Sequence, residues 1–218
     1  MPAQFDNKHT GKRGFVIGGG PSILDIQSEG FDFNRLTTEV SVGANKIYRL
    51  LIPTYLLAAD DYFWRHFTSE VIGMDCIKFS PKNAYDRLKL GTLDATIFPI
   101  INSKKQENTR TSSFSKPISL WNNTGLACLR IAALLGLNPI YIVGIDLTVK
   151  DEQGRTHFHN DYEPKRINKT REIRTGQWLD AFDNTIKNLN IMGIDIYSCS
   201  LTSKLNTIIP YIDIKDLF

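Results

Sequence analysis

The stretch Gly14–Leu24, GFVIGGGPSIL, decides the reading of the fold. Phe15, Val16 and Ile17 are consecutive apolar residues with no polar alternation, the pattern of a strand covered on both faces. Gly18, Gly19 and Gly20 follow at once, then Pro21, Ser22 and a new apolar start at Ile23 and Leu24. Strand, glycine turn and helix start in that order predict a βα unit. Glycines without Cβ let a backbone approach a phosphate, and Ser22 as N-cap would leave amide donors and a positive dipole end facing the same point. The spacing is neither GxGxxG nor GxxxxGK[ST], so the two common nucleotide fingerprints are absent.

Working outward, similar runs recur at Val40–Val42, Tyr55–Ala58, Cys76–Phe79, Ile140–Val143 and Ile194–Tyr197. Each is followed by a turn signal and a helix-like stretch, which predicts an α/β, Rossmann-like fold: a mainly parallel sheet with helices on both faces. Thr124–Leu135, TGLACLRIAALL, reads as a helix capped by Asn123 or Thr124, ended by Gly136 and apolar nearly all round, hence internal. A second, amphipathic helix is expected from about Thr175, with Trp178, Leu179, Phe182, Ile186 and Leu189 on one face and Gly193 as its stop. One domain over 1–218 is expected, with a mobile loop at 102–117, where Phe114 is the one large apolar residue, and a lid at 147–175.

Composition narrows the classes. Residues of the AVILMFWYC set make up 42% and charged residues 22%, which excludes a disordered or collagen-like chain. No apolar run is long enough to span a membrane, and the start lacks the apolar core of a secretory signal, so a cytoplasmic location is expected. Cys76, Cys128 and Cys199 are widely spaced without a CxxC, so they read as buried apolar residues rather than disulfide or zinc ligands. The net charge of +3 falls short of a dedicated nucleic-acid binder, and no such partner is expected. Within that total, Lys165–Arg174, KRINKTREIR, sets five basic residues against one acidic, a run suited to a phosphate or an anionic lipid surface.

Ligands of open α/β sheets bind beyond the carboxyl ends of the strands, so the residues there are the site candidates. Gly43-Ala44-Asn45 follows the second run, and Asn45 offers donor and acceptor edges to a base or ribose. Asp60 and Asp61 follow the third and can accept from hydroxyls or hold a divalent ion. Asn122, Asn123, Thr124 and Gly125 open the internal helix with free amides, and Gly144 and Asp146 end the Ile140–Val143 run. Beyond lies GRTHFHNDY, residues 154–162. His157 and His159, on one side of an extended segment, suit general acid or base work, and with Asp161 they could ligate a metal. Arg155, Tyr162, Lys165 and Arg166 are the candidates for meeting phosphate charge. Whether a metal is held is left unknown by these residues.

VIGGGPSILDI (16–26), FDFNRL (31–36) and VGANKIY (42–48), with the block NNTGLACLRIAALLGLNPIYIVGIDLTVKDEQGRTHFHND (122–161), resemble the MptE-like (6-hydroxymethylpterin diphosphokinase-like) family and the related bacterial sialyltransferases that use CMP-sialic acid. The two blocks and the tail to Ile196 cover most of the chain, and Arg65–Ser119 carries no alignable motif. The resemblance implies a nucleotide site built from Gly18–Ser22, Asn45, Asp60, Asp61 and Asn123–Gly125, a nucleotide or nucleotide-sugar donor, and a small-molecule or glycan acceptor. The sialyltransferases place a His base and phosphate-binding Tyr residues in the lid; Lys165–Thr175 contains neither type. GRTHFHND is closer to the MptE-like pattern, whose members include phage and surface-glycan-cluster proteins.

The expectation is therefore a transferase moving a diphosphoryl or glycosyl group from a nucleotide donor, with His157 or His159 as base and Asp146 or Asp161 orienting it. Mg²⁺ would be required in the diphosphokinase version and no cofactor in the sialyltransferase version. The alternatives are a CMP-sugar-dependent, sialyltransferase-like glycosyltransferase and a nucleotide-binding protein of this fold without turnover. Self-association into a homo-oligomer is compatible with each.

Overall fold

Because Phe15, Val16 and Ile17 all carry apolar side chains, their strand can only be stable between two helical layers, and it lies there. The computed structural model describes residues 3–103, 113–120, 123–159 and 169–218, with the side chains of 169–174 excepted. Among the described residues seven strands form one sheet: β1 (Gly14–Ile17), β2 (Val40–Ala44), β3 (Tyr55–Leu57), β4 (Ile77–Pro81), β5 (Ile97–Ile100), β6 (Ile140–Val143) and β7 (Ile196–Ser198). Their order is β5-β4-β3-β2-β1-β6-β7 and every pairing is parallel. Val16 on β1 is in register with Val42 on β2 and Ile142 on β6. The chain runs outward on one side of β1 and then returns to its other side, so the order reverses between β1 and β6.

The helices are α1 (Ser22–Ser28), α2 (Asp61–His66), α3 (Thr68–Val71), α4 (Lys82–Arg87), α5 (Leu90–Leu93), α6 (Thr124–Leu134) and α7 (Lys169–Ile191). Period-two alternation sorts the strands' side chains between two cores. Val16, Val42 and Ile142 pack on one face with Leu126, Leu129 and Ile131 of α6 and Phe182 and Ile186 of α7. Phe15, Ile17 and Val143 pack on the other with Ile23 and Ile26 of α1 and Phe63 and Trp64 of α2. The expected α/β fold with helices on both faces is thus the observed one, and all three cysteines are buried.

Several boundaries differ from the sequence reading. β4 begins at Ile77 rather than Cys76, and β7 at Ile196 rather than Ile194. β5, not foreseen, contains Pro99, which a strand tolerates because β5 is at the sheet edge with a single partner. α7 begins at Lys169 rather than near Thr175, so the C-terminal part of the basic run is helix backbone. Of the expected loop 102–117, residues 104–112 lie outside the described residues. Its C-terminal end is anchored: Phe114 is buried and stacks on Phe79 at 5.2 Å, because Phe5, Phe79 and Phe98 complete an aromatic cluster that no local pattern reveals. Among the described residues no helix is long and apolar enough to cross a membrane.

Candidate functional site

The strand-order reversal opens a crevice at the carboxyl ends of β1 and β6, as in doubly wound sheets generally. A cavity of about 360 Å³ occupies it and extends across the ends of β2 and β3. Its floor is glycine for a steric reason. A Cβ on Gly18 would stand 2.4 Å from the Gly144 carbonyl oxygen, and one on Gly20 would stand 2.4 Å from Asp146 Oδ2. A Cβ on Gly19 would meet only ordinary contacts, Phe158 and His157 side-chain atoms at 3.8–3.9 Å.

The turn at Gly18–Gly20 works differently from the expectation that it cradles a phosphate with the N-terminus of α1. Pro21, not Ser22, is the N-cap. Ser22 is buried; its N–H donates to Asp146 Oδ2 at 2.9 Å and its hydroxyl to Asp146 Oδ1 at 2.5 Å. The Ile23 and Leu24 amides donate to the Gly20 and Pro21 carbonyls. Every amide at the start of α1 is therefore spent. A full negative charge on Asp146 also exceeds the roughly half charge of a helix N-terminus, so α1 does not attract an anion while Asp146 is ionised. Burial pushes the Asp146 carboxyl above its usual range, with the two Ser22 bonds acting in the opposite sense. Gly144 N–H donates to Ser200 Oγ at 2.8 Å, and the Ser200 and Ser22 hydroxyl oxygens lie 2.9 Å apart. Asp146 thus ties the start of α1 to the end of β6, and its carbonyl, which accepts from Lys204 N–H, adds the segment after β7.

The amides that do face the cavity come from elsewhere. Gly18 and Gly20 donate to the Val143 and Gly144 carbonyls, whereas Gly19 N–H has no partner among the described residues. At the start of α6, Asn123 Oδ1 accepts from Leu126 N–H at 3.0 Å, as expected of the N-cap, and the Asn123 carbonyl accepts from Ala127 N–H. Thr124 and Gly125 N–H are left without partners among the described residues and sit on the cavity wall. An eleven-residue helix with two open amides is the anion-attracting terminus here.

Asn45 carries two marks of a ligand contact. Its φ is +52°, the left-handed region, and among the described residues its buried Oδ1 has no hydrogen-bond partner, while Nδ2 reaches Thr124 Oγ1 at 3.5 Å. Strain together with an orphaned acceptor is costly unless a ligand donor completes it. Asp60 lines the cavity but its Oδ1 caps α2 by accepting from Phe63 N–H at 2.8 Å. Asp61, expected beside it, pairs instead with Arg65 and Arg87 and does not line the cavity.

The extended segment after Gly154 turns alternate residues to opposite sides, as its sequence suggested. Phe158 N–H donates to the Gly19 carbonyl at 3.1 Å and its ring joins the core on the α1 side. His157 and His159 line the cavity, stacked with ring centroids 5.4 Å apart, and Thr156 Oγ1 lies 2.9 Å from His157 Nδ1. Arg155 is not available to a phosphate in the expected way, since Asp25 at 2.7 Å and Asp151 at 2.5 Å hold its guanidinium away from the cavity wall. Asp161, Tyr162, Lys165 and Arg166 lie outside the described residues.

Of the expected site residues, Gly18, Gly19, Gly20, Pro21, Asn45, Asp60, Asn123, Thr124, Gly125, Gly144, Asp146, His157 and His159 therefore share one cavity. Ser22, Asp61 and Arg155 do not. The sequence reading missed Lys46, Tyr62, Phe67, Thr148, Thr156 and Trp178 on the same wall. Lys46 adjoins Asn45 and Tyr62 adjoins Asp61, so the signal that could have found them is adjacency to those turns. Trp178 was read only as part of a helix face. Mg²⁺ does not fit the described residues: both Asp146 oxygens and one Asp60 oxygen are already hydrogen-bonded, leaving no pair of open carboxylates.

Compared by sequence, the chain matches no protein-family model and no curated protein. Compared by structure, it is similar to the sialyltransferase CstII from Campylobacter jejuni in complex with the substrate analogue CMP-3FNeuAc, at 14% identity and a TM-score of 0.51 over 92% of this chain and 86% of that one. It is similar to the monofunctional alpha-2,3-sialyltransferase Cst-I from the same organism, at 17% identity and a TM-score of 0.50 over 92% and 80%. It is also similar to the MAf glycosyltransferase from Magnetospirillum magneticum AMB-1, at 14% identity and a TM-score of 0.53; 89% of this chain aligns with 33% of that one. At these identities the likeness is one of fold.

Proposed function

We propose that the chain is a glycosyltransferase that binds a nucleotide-sugar donor of the CMP-sugar class in the cavity at the strand-order reversal and transfers the sugar to a glycan hydroxyl. The observation that carries this reading is the constellation at the cavity: Asn45 with an acceptor that no described residue meets, the amides of Gly19, Thr124 and Gly125, open among the described residues, and the imidazoles of His157 and His159 on the same wall. The fold shared with enzymes solved with CMP and with a CMP-sugar analogue supports that class over the diphosphokinase version.

The chemistry follows from charge. Breaking the bond between the sugar and the nucleotide leaves a phosphate oxygen with growing negative charge, which backbone amides aimed at it stabilise without reorganising. The attacking hydroxyl must lose its proton, and a neutral imidazole within reach of the cavity can take it. His157 and His159 are the described groups able to do so, and the nearby Thr156 hydroxyl can fix the His157 tautomer. A clasp role for Asp146, with both oxygens on Ser22, replaces its expected role as orienter of a histidine.

The test is a donor panel of CMP-sialic acid, UDP-sugars and ATP, each with Mg²⁺ and with EDTA, scored for donor hydrolysis and for transfer to a sialylated or galactosylated acceptor. The reading requires turnover of a CMP-sugar that survives EDTA. Turnover of ATP alone, dependent on Mg²⁺, would replace it with diphosphoryl transfer. Tight binding without turnover of any donor would replace it with a non-catalytic nucleotide-binding protein.

A further inference from the structure

We propose that Trp178 is the platform on which the pyranose ring of the transferred sugar packs; the proposal rests on the reading of the cavity as a nucleotide-sugar site. On α7 the inward stripe runs through Thr175, Phe182, Ile186 and Leu189, all buried. Trp178 falls on that stripe between Thr175 and Phe182, yet it is only half-buried. It packs against the core shared by α6 and α7 and also lines the cavity, so the opening in the stripe is the cavity itself. Trp64, the other tryptophan among the described residues, is 1% exposed and donates its N–H to the Ala58 carbonyl at 2.9 Å. Trp178 has neither a hydrogen-bond partner nor a stacked ring among the described residues. Tyr62, Phe63 and Phe67 on the same wall come instead from α2 and its end, and Phe67 contacts both of the others.

Placement selects the ring that Trp178 meets. Asn45 ends β2 and reaches Thr124 at the start of α6, so the groups suited to reading a base or ribose stand on the β2 side of the strand-order reversal. α7 packs on α6 and on the 3₁₀ turn Lys204–Thr207 that follows β7, and His157 and His159 belong to the segment after β6. Trp178 and the two imidazoles are thus contributed from the β6–β7 side. A donor whose nucleotide meets the β2 side carries its sugar towards the β6–β7 side, where a base must reach the acceptor hydroxyl. A pyranose presents C–H groups on a ring face, and these pack on an indole as other apolar surface does, while the indole N–H can donate to a sugar oxygen.

The experiment is calorimetric titration of wild type, Trp178→Ala and Trp178→Phe with CMP and with the substrate analogue CMP-3FNeuAc, with thermal melts to establish folding. Trp178→Ala should weaken CMP-3FNeuAc by about 5- to 50-fold and leave CMP unchanged, and Trp178→Phe should recover part of the loss. If folded Trp178→Ala weakens both ligands equally, the ring meets the nucleotide and the proposal is overturned; if it weakens neither, the proposal is overturned as well. Wild type that binds CMP but not CMP-3FNeuAc overturns it too, and in all three cases the nucleotide site stands. If wild type binds neither ligand, the donor-site reading falls with it. Should Trp178→Ala not fold, wild type carrying ¹⁵N-indole tryptophan decides, with Trp178→Phe assigning the resonance: CMP-3FNeuAc must move the Trp178 signal beyond its position with CMP, and no such further shift overturns the proposal.

Discussion

At the scale of single residues, two adjacent glycines separate structure from binding. Gly20→Ala drives a methyl into Asp146 Oδ2 and the Gly144 carbonyl, at 2.4 and 2.8 Å, so it should cost about 1–3 kcal/mol of unfolding free energy. Gly19→Ala meets nothing closer than 3.8 Å and should stay within about 0.5 kcal/mol of wild type, while Gly19→Val should weaken nucleotide binding by crowding the open amide. Urea melts with CMP titrations check both, and equal destabilisation by the two alanines would refute the assignment. A second prediction concerns His157 and His159. Replacing each by Ala should identify one whose loss lowers kcat by about 10² to 10⁴ with little change in nucleotide affinity, and whose absence removes the acid limb of the pH profile. Wild-type turnover in the double mutant would make the pair a loop clasp instead. At this scale the sequence disclosed which residues are reactive but not how they are spent. Ser22, Asp61 and Arg155 were legible as polar groups near strand ends. Their partners Asp146, Arg87 and Asp25 are distant in the chain, and only folding brings them within 3 Å.

Elements are held by contacts of the same long-range kind. Lys78, on β4, is fully buried; its ammonium donates to the Met74 and Cys76 carbonyls and to Thr96 Oγ1, and forms an ion pair with Asp94 at 3.0 Å. Burial acts to raise the Asp94 carboxyl, but hydrogen bonds from the Thr96 hydroxyl and N–H, from Lys78 and from Gly73 N–H outweigh it and hold the group well below its usual value. A depressed carboxylate contributes stability that is present above the unfolded value near 3.9 and is lost as pH falls towards the folded one. Unfolding free energies measured from about pH 6 down to 2 should therefore drop below about pH 4 in wild type. Asp94→Asn should flatten that limb. Asp94→Ala leaves the Lys78 charge buried without its carboxylate, which should cost about 3–5 kcal/mol at neutral pH. An unchanged acid limb in Asp94→Asn would show that other carboxylates govern it. β6 was read to the residue and α6 to within one at its end, because their apolar runs are bounded by Gly and Pro. β5 was missed, because Ile97-Phe98-Pro99-Ile100 carries a proline that only an edge position excuses.

For the molecule as a whole, the strand order places the ends of β1, β2, β3 and β6 around one cavity, so a ligand filling it bridges segments far apart in sequence. Binding to the folded state alone should then raise the global unfolding free energy. CMP at a hundred times its Kd should add about 2.7 kcal/mol, seen as a concentration-dependent rise in Tm, and Gly19→Val should show a smaller rise at the same concentration. A Tm indifferent to CMP, CMP-sugars and ATP would count against the cavity as a nucleotide site.

By itself, the sequence determined the fold class, most of the strands and the rim on which a site must lie, since apolar runs without alternation, glycine turns and caps are local signals read within a few residues. The tertiary structure decided which rim groups remain available to a ligand. Asp146 closes the N-terminus of α1 from across the sheet, and the open amides among the described residues are those of Gly19 and α6. Each of these depends on what lies opposite in space, and hydrogen-bond saturation and burial are properties of that neighbourhood rather than of the local chain.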